Sequence, residues 1–185
     1  MSAPISNSFY SEEEISHLGL KQYGHHVLIS RKASIYSPEK ISMGNDVRID
    51  DFCILTGEIT LGNFIHISAF TAMYGKYGIA MEDYTGLSPR CIVFSASDDF
   101  SGNYLISPMV PEQYTNVTGG KVVIKRFVQI GAGTIILPDV TINEGVAVGA
   151  LSLVKKDLAA WNIFAGNPLK FIKQREQKLL EYVKH

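Results

Sequence analysis

From residue 124 onward an aliphatic residue returns every six positions, at Ile124, Ile130, Ile136, Ile142, Val148 and Val154. Four residues after each stands a small or aliphatic partner: Val128, Thr134, Val140, Val146, Ser152 and Leu158. The same phase runs earlier through Met43, Ile49, Leu55, Leu61, Ile67 and Met73, with partners Val47, Cys53, Ile59, Ile65 and Thr71. After a two-residue slip within 74–80 it resumes at Met81, Leu87 and Val93, with Thr85 and Cys91. A period of six matches neither an amphipathic helix, at roughly 3.6, nor a long alternating strand, at about 2. It suits short strands joined by sharp corners, each strand turning its first and fifth residues inward. Gly44-Asn45-Asp46, Gly62-Asn63 and Gly131-Ala132-Gly133 are the residue types that such corners need. Three hexads close one triangular coil of about 18 residues, and coils stack at roughly the 4.8 Å of paired strands. The chain is therefore predicted to be all-β, a parallel β-helix over about 31–160 in a single domain, 1–185.

Composition agrees and narrows the function. Ile and Val make up 33 of the 185 residues, and 16 Gly punctuate them; β-branched residues favour pleated surfaces. With 17 Lys+Arg against 18 Asp+Glu the net charge is −1, which removes the bulk electrostatic case for a nucleic acid or anionic membrane partner. No apolar run reaches the ~18 residues of a transmembrane segment, and the first residues lack a basic-then-apolar leader pattern. A cytoplasmic protein is the expectation.

Cys53 and Cys91 have no CxxC or CxxH neighbours, so neither a metal site nor a disulfide is indicated. Stacking puts Cys53, Thr71 and Cys91 in the inward fifth place of three successive coils, the two thiols about 9.6 Å apart. Thiols buried there are poor nucleophiles, and covalent catalysis through a cysteine is disfavoured.

The ends read differently from the repeat. Ser11-Glu12-Glu13-Glu14 is a capping box that opens a short helix through Ile15 and Leu18, ended by Gly19. Phe171, Ile172, Leu179, Leu180 and Val183 have helical spacing, so a C-terminal helix is predicted over about 168–183, packed on the last coil. Between the two regular regions the phase vanishes over 97–119. A loop of this length is usually either functional or disordered. Its Phe100, Tyr104, Leu105, Met109 and Tyr114 point to docking, with Asp99, Tyr104, Tyr114 and Asn116 as candidate substrate-binding residues.

The repeat resembles that of the hexapeptide-repeat acyltransferases, over roughly 31–175. The resemblance implies a left-handed coil, a homotrimer with active sites between subunits, and acetyl-CoA as donor. In the maltose, galactoside and xenobiotic acetyltransferase branches the matching loop carries a His as general base. Here that stretch reads Ser95-Ala96-Ser97-Asp98-Asp99, with an Asp in its place.

Of the five histidines, His17, His25, His26, His66 and His185, only His66 stands within the repeat, at an outward sixth place. An attacking hydroxyl or ammonium must lose a proton, and imidazole titrates near neutral pH. His66 is therefore the expected base, with Asp98 of a neighbouring chain orienting it or holding the acceptor. For the donor, the resemblance points to Gly131, Ala132, Gly133, Gly149 and Ala150 along the pantetheine arm, and to Lys155, Lys156, Lys170 and Arg175 near the phosphates. Ala165-Gly166-Asn167-Pro168 resembles the family's closing turn, with Trp161 a candidate to stack on adenine or to seal the helix end.

The expectation is a homotrimeric acetyltransferase acting on a hydroxyl or amino group of a sugar or nucleotide sugar, in surface polysaccharide biosynthesis. The alternatives are an inactive scaffold or interaction protein, and an acetyltransferase for a small non-sugar acceptor.

Overall fold

The computed structural model describes residues 8–183. Its core is a triangular coil of parallel strands. One face stacks Leu28–Ile29, Val47–Ile49, Ile65–Ile67, Gly86–Leu87, Gln129–Ile130, Ala147–Val148 and Asn162–Ala165. The other two faces merge into one sheet, because Ile54–Leu61 and Ala72–Met81 run unbroken around the corner between them. Successive coils pair in parallel at an 18-residue step, as in Val47 with Ile65 and Leu55 with Met73.

Every aliphatic and partner position of the repeat named above is buried, and the polar ones among them, Thr71, Thr85, Thr134 and Ser152, are buried too. These hydroxyls cost little because each has a carbonyl to bond: Thr85 Oγ1 donates to Glu82 O at 2.9 Å and Ser152 Oγ to Gly149 O at 2.7 Å.

The corners have their own chemistry. At one of them Asn45 Oδ1 accepts from His25 N, Asn63 Oδ1 from Asn45 N, and Asp83 Oδ1 from Asn63 N, each at 2.8 Å. Gly44 is required there, since a Cβ would lie 2.6 Å from Asn63 Oδ1. Bulky residues also take left-handed backbone at corners, among them Phe52, Phe64, Phe70, Tyr84 and Phe127. That conformation costs roughly 1–2 kcal/mol per residue. Stacking offsets much of it, at about 0.5–1.5 kcal/mol per pair: Phe64 on Tyr84 at 4.6 Å, Tyr84 on Phe127 at 5.3 Å, Phe52 on Phe70 at 5.0 Å.

At the N-terminal end the capping box forms, with Glu14 N donating to Ser11 Oγ and Ser11 N to Glu14 Oε2, and the helix spans Glu12–Ser16. The predicted C-terminal helix over 168–183 is not there. The chain turns at Gly166 and returns as Lys170–Gln174, antiparallel to Asn162–Ala165, followed by a 3-10 turn at Lys178–Val183. The open edge of the last coil explains the change. Its unpaired backbone groups gain a strand partner, a non-local demand that outweighs local helical spacing and leaves Phe171 57% exposed. His185 lies outside the described residues.

Candidate active site

His66 projects from the middle of Ile65–Ile67, between two buried isoleucines. Its Nε2 lies 2.8 Å from Asp50 Oδ2, and Arg48 Nε donates to Asp50 Oδ1 at 2.7 Å. Burial works to raise the Asp50 pKa, but the hydrogen bonds from Arg48 and His66 outweigh it and hold the carboxyl below its ordinary range. Asp50 therefore stays anionic and orients the imidazole, whose side chain is 51% exposed. Within its own chain His66 is thus paired with Asp50, not with Asp98. Asp50 was missed because it precedes His66 by 16 residues; coil arithmetic, with Arg48 opposite His66, is the signal that finds it.

Outward along this face run Arg48, His66, Gly86, Gln129, Ala147 and Ile163. The missing side chain at Gly86 leaves a hollow of about 320 Å³ between His66 and Gln129, lined also by Phe64, Ser68, Tyr84 and Thr85.

Asp98 lies elsewhere, under the loop. It lines an apolar cavity of about 420 Å³ with Tyr74, Phe94, Phe100, Val117 and Leu137. It also lines an adjoining groove of about 1010 Å³. Neither shares a lining residue with the His66 hollow.

The loop is pinned at its base by Ala96–Ser97 pairing antiparallel with Thr118–Gly119. Asp99 and Asn116 bond each other, Asn116 Nδ2 donating at 2.9 Å, and Asp99 also accepts from Ser101 N at 2.7 Å. These bonds lower the Asp99 pKa; the pair ties the start of the loop to its end. Tyr104 and Tyr114 are exposed and line neither hollow. Tyr77, not singled out from sequence, does line the groove.

The donor candidates divide. A Cβ on Gly131 would lie 2.5 Å from Ala150 N, and one on Gly149 would lie 2.8 Å from Ala165 Cβ, so the next coil by itself demands both glycines. Gly133 has φ +70, and Leu151 N donates to Ala132 O at 2.8 Å. Lys155, Lys156 and Lys170 are exposed.

Arg175 is engaged within the chain. Its Nη1 donates to Phe127 O at 2.7 Å and Gly145 O at 3.1 Å, clamping the C-terminal strand to a coil corner. Trp161 ends the aromatic corner row, 6.2 Å from Phe127 across Gly145.

Both thiols are buried. Burial pushes Cys53 and Cys91 up to about 11, and each is free. Among the described residues no group of three or more His, Cys, Asp or Glu is placed to hold a metal, and no helix is long and apolar enough to cross a membrane.

The coil thus carries a pinned loop over a cavity with the Asp98 carboxylate in its wall, and a separate hollow beside His66. Comparison with known proteins gives the class of protein. No protein-family model matches the chain. It is 43% identical over 177 residues to the dTDP-4-amino-4,6-dideoxy-D-glucose acyltransferase of Escherichia coli, covering 94% of this chain and 92% of that one. Crystal structures of AntD, an N-acyltransferase from Bacillus cereus, superpose with a TM-score of 0.93 at 54% identity, over 95% of each chain. A hexapeptide-repeat acetyltransferase from Vibrio cholerae shares the fold, with a TM-score of 0.62 at 19% identity over 90% of this chain and 79% of that one. The chain belongs to the hexapeptide-repeat acyltransferases, whose fold is the left-handed β-helix. It is an acyltransferase.

Proposed function

We propose that the chain acts as a homotrimer that moves an acyl group from acyl-CoA to the amino group of a dTDP-linked 4-amino-4,6-dideoxy sugar, at clefts between subunits. The Bacillus cereus relative was crystallised with dTDP, with dTDP-4-amino-4,6-dideoxyglucose and CoA, and with 3-hydroxybutyryl-CoA. The observation that carries the assignment is a spacing. That relative was also studied as variants at an aspartate and at a serine ten residues before it. In this chain Asp98 is the only Asp preceded at ten residues by a Ser, which is Ser88.

Ser88 follows the strand Gly86–Leu87 and is next to Ser68, whose N donates to Leu87 O at 2.9 Å. Ser68 lines the His66 hollow. His66, Ser68 and Ser88 therefore form one edge of the coil, and Asp98 belongs to another. A trimer brings the edge of one subunit to the loop of the next. The loop residues Met109, 88% exposed, and Phe100, 81% exposed, favour such a contact.

In this reading Asp98 holds the acceptor amine and His66, steadied by Asp50, is the base. The amine nitrogen bonds to the thioester carbonyl carbon and the C–S bond breaks. The proton lost by nitrogen passes to His66 and then to the departing thiolate, giving an amide and free CoA. Gly131 and Gly149 continue the row above Ser88, their N–H groups bonded to Val148 O and Phe164 O; this side-chain-free strip suits an extended pantetheine arm, with Lys155, Lys156 and Lys170 for its phosphates. Two unpaired thiols fit the reducing cytoplasm, and the product fits surface polysaccharide assembly.

Asp98→Asn tests the assignment. Its turnover with an acyl-CoA and the dTDP-amino sugar falls by roughly 10²–10⁴, with CoA binding retained. Turnover at the wild-type rate would overturn it.

A further inference from the structure

Two of the departures of the coil from its six-residue period line one groove. The first is the loop after Ala96–Ser97. The second is the slip: Leu55 pairs with Met73, a step of 18, but Ile59 pairs with Ile79, a step of 20. The two extra residues lie at a corner, where they lift Lys76 and Tyr77 out of the repeat.

Both line the groove of about 1010 Å³ whose facing wall is the loop, with Ser107, Glu112 and Asn116, and Asp98 lines it as well. Tyr77 is fixed in place: its N donates to Ser95 Oγ at 2.8 Å and its hydroxyl to Val117 O at 3.0 Å. Lys76 lies against that ring, Nζ 5.8 Å from the centroid, and among the described residues it has no carboxylate partner. It also opens onto a second groove of about 520 Å³, where Lys21 and Lys40 stand with Glu39 and Glu58.

We propose that Lys76, with Lys21 and Lys40 behind it, holds the diphosphate of the nucleotide-sugar acceptor, while Asp98 in the same groove holds its amino end. The proposal rests on the acceptor reading above. An amino-sugar nucleotide carries a cationic nitrogen at one end and an anionic diphosphate at the other. The groove presents a carboxylate and an uncompensated ammonium in matching roles, within a volume suited to a ligand of this size. Lys is a compact charge with several donors, suited to phosphate oxygens. Glu112, the groove's other carboxylate, belongs to the loop wall rather than to the corner that bears Lys76.

The probe is dTDP, titrated calorimetrically into the full-length protein, with Lys76→Met, Lys76→Arg and Asp98→Asn as variants. Lys76 is exposed, so its substitution leaves the fold intact. Lys76→Met weakens dTDP binding by roughly tenfold and raises the KM for the dTDP-amino sugar, while the KM for acyl-CoA stays put. Lys76→Arg recovers most of the loss, and Asp98→Asn binds dTDP within about twofold of wild type. Equal dTDP affinity in wild type and Lys76→Met overturns this proposal alone. Failure of wild type to bind dTDP overturns the acceptor reading, and the proposal with it.

Discussion

The imidazole of His66 and the carboxylate of Asp50 meet at 2.8 Å across one step of the coil, with Arg48 holding the carboxylate from its other oxygen. Neither residue lines the loop hollows that Asp98 lines. The candidate base is therefore oriented within its own subunit, before any neighbour or substrate arrives.

Asp50 acts as a positioning residue in this account. Asp50→Asn lowers kcat by about 10- to 100-fold, with both KM values unchanged, and Asp50→Glu restores part of it. A merely structural role would lower the melting temperature and leave kcat alone. His66→Ala with normal turnover would remove the base assignment.

Glu14 ties the N-terminal helix to the coil through both oxygens, Arg31 Nη1 and Nη2 donating at 2.8 and 2.6 Å. Hydrogen bonds from Arg31, first, and then from the Ser11 backbone hold its pKa at about 2, against the ordinary 4.5. A depressed carboxyl pKa adds stability that is present above the unfolded value and is lost as pH falls through the folded one. The gap in melting temperature between wild type and Glu14→Gln is thus constant above about pH 5 and closes between pH 4.5 and about 2. A gap that persists at pH 2 would contradict the ion pair.

The thiols take no part. Cys53→Ala with Cys91→Ala keeps kcat within about threefold of wild type despite a smaller core, and native protein reacts slowly with thiol reagents at pH 8. An acyl-cysteine detected by mass spectrometry during turnover would contradict direct transfer.

Arg175 is a clamp. Arg175→Met leaves the carbonyls of Phe127 and Gly145 without their donor, at a cost of about 1–3 kcal/mol. Denaturant titration reads that loss. The KM for acyl-CoA stays within about twofold; a large rise would return Arg175 to the donor phosphates.

The core was legible because burial follows a strict period: Ile49, Ile67, Leu87 and Ile130 recur at one inward place, and all are buried. The capping box was legible because it is local. What depends on non-local pairing was not. The last strand, Lys170–Gln174, answers to an edge made by Asn162–Ala165, which local spacing at Leu179 and Leu180 does not encode. Arg175 looked like a phosphate ligand because a basic residue near the C-terminus does not disclose the carbonyls waiting for it. His66 and Asp98 line separate hollows of the chain, whereas Asp50 emerged only when the coils were stacked in register.

The central claim is that one subunit contributes Asp98 and another His66. Mixed trimers test it most directly. His66→Ala and Asp98→Asn chains, each inactive alone, are unfolded together and refolded at equal ratio, then assayed with acyl-CoA and the dTDP-amino sugar. Sites shared between subunits regain activity at about one in four, since random assembly pairs an intact His66 with an intact Asp98 that often. A mixture as inactive as its parents, with trimers verified, would mean that each site is built within a single chain, and would contradict the account.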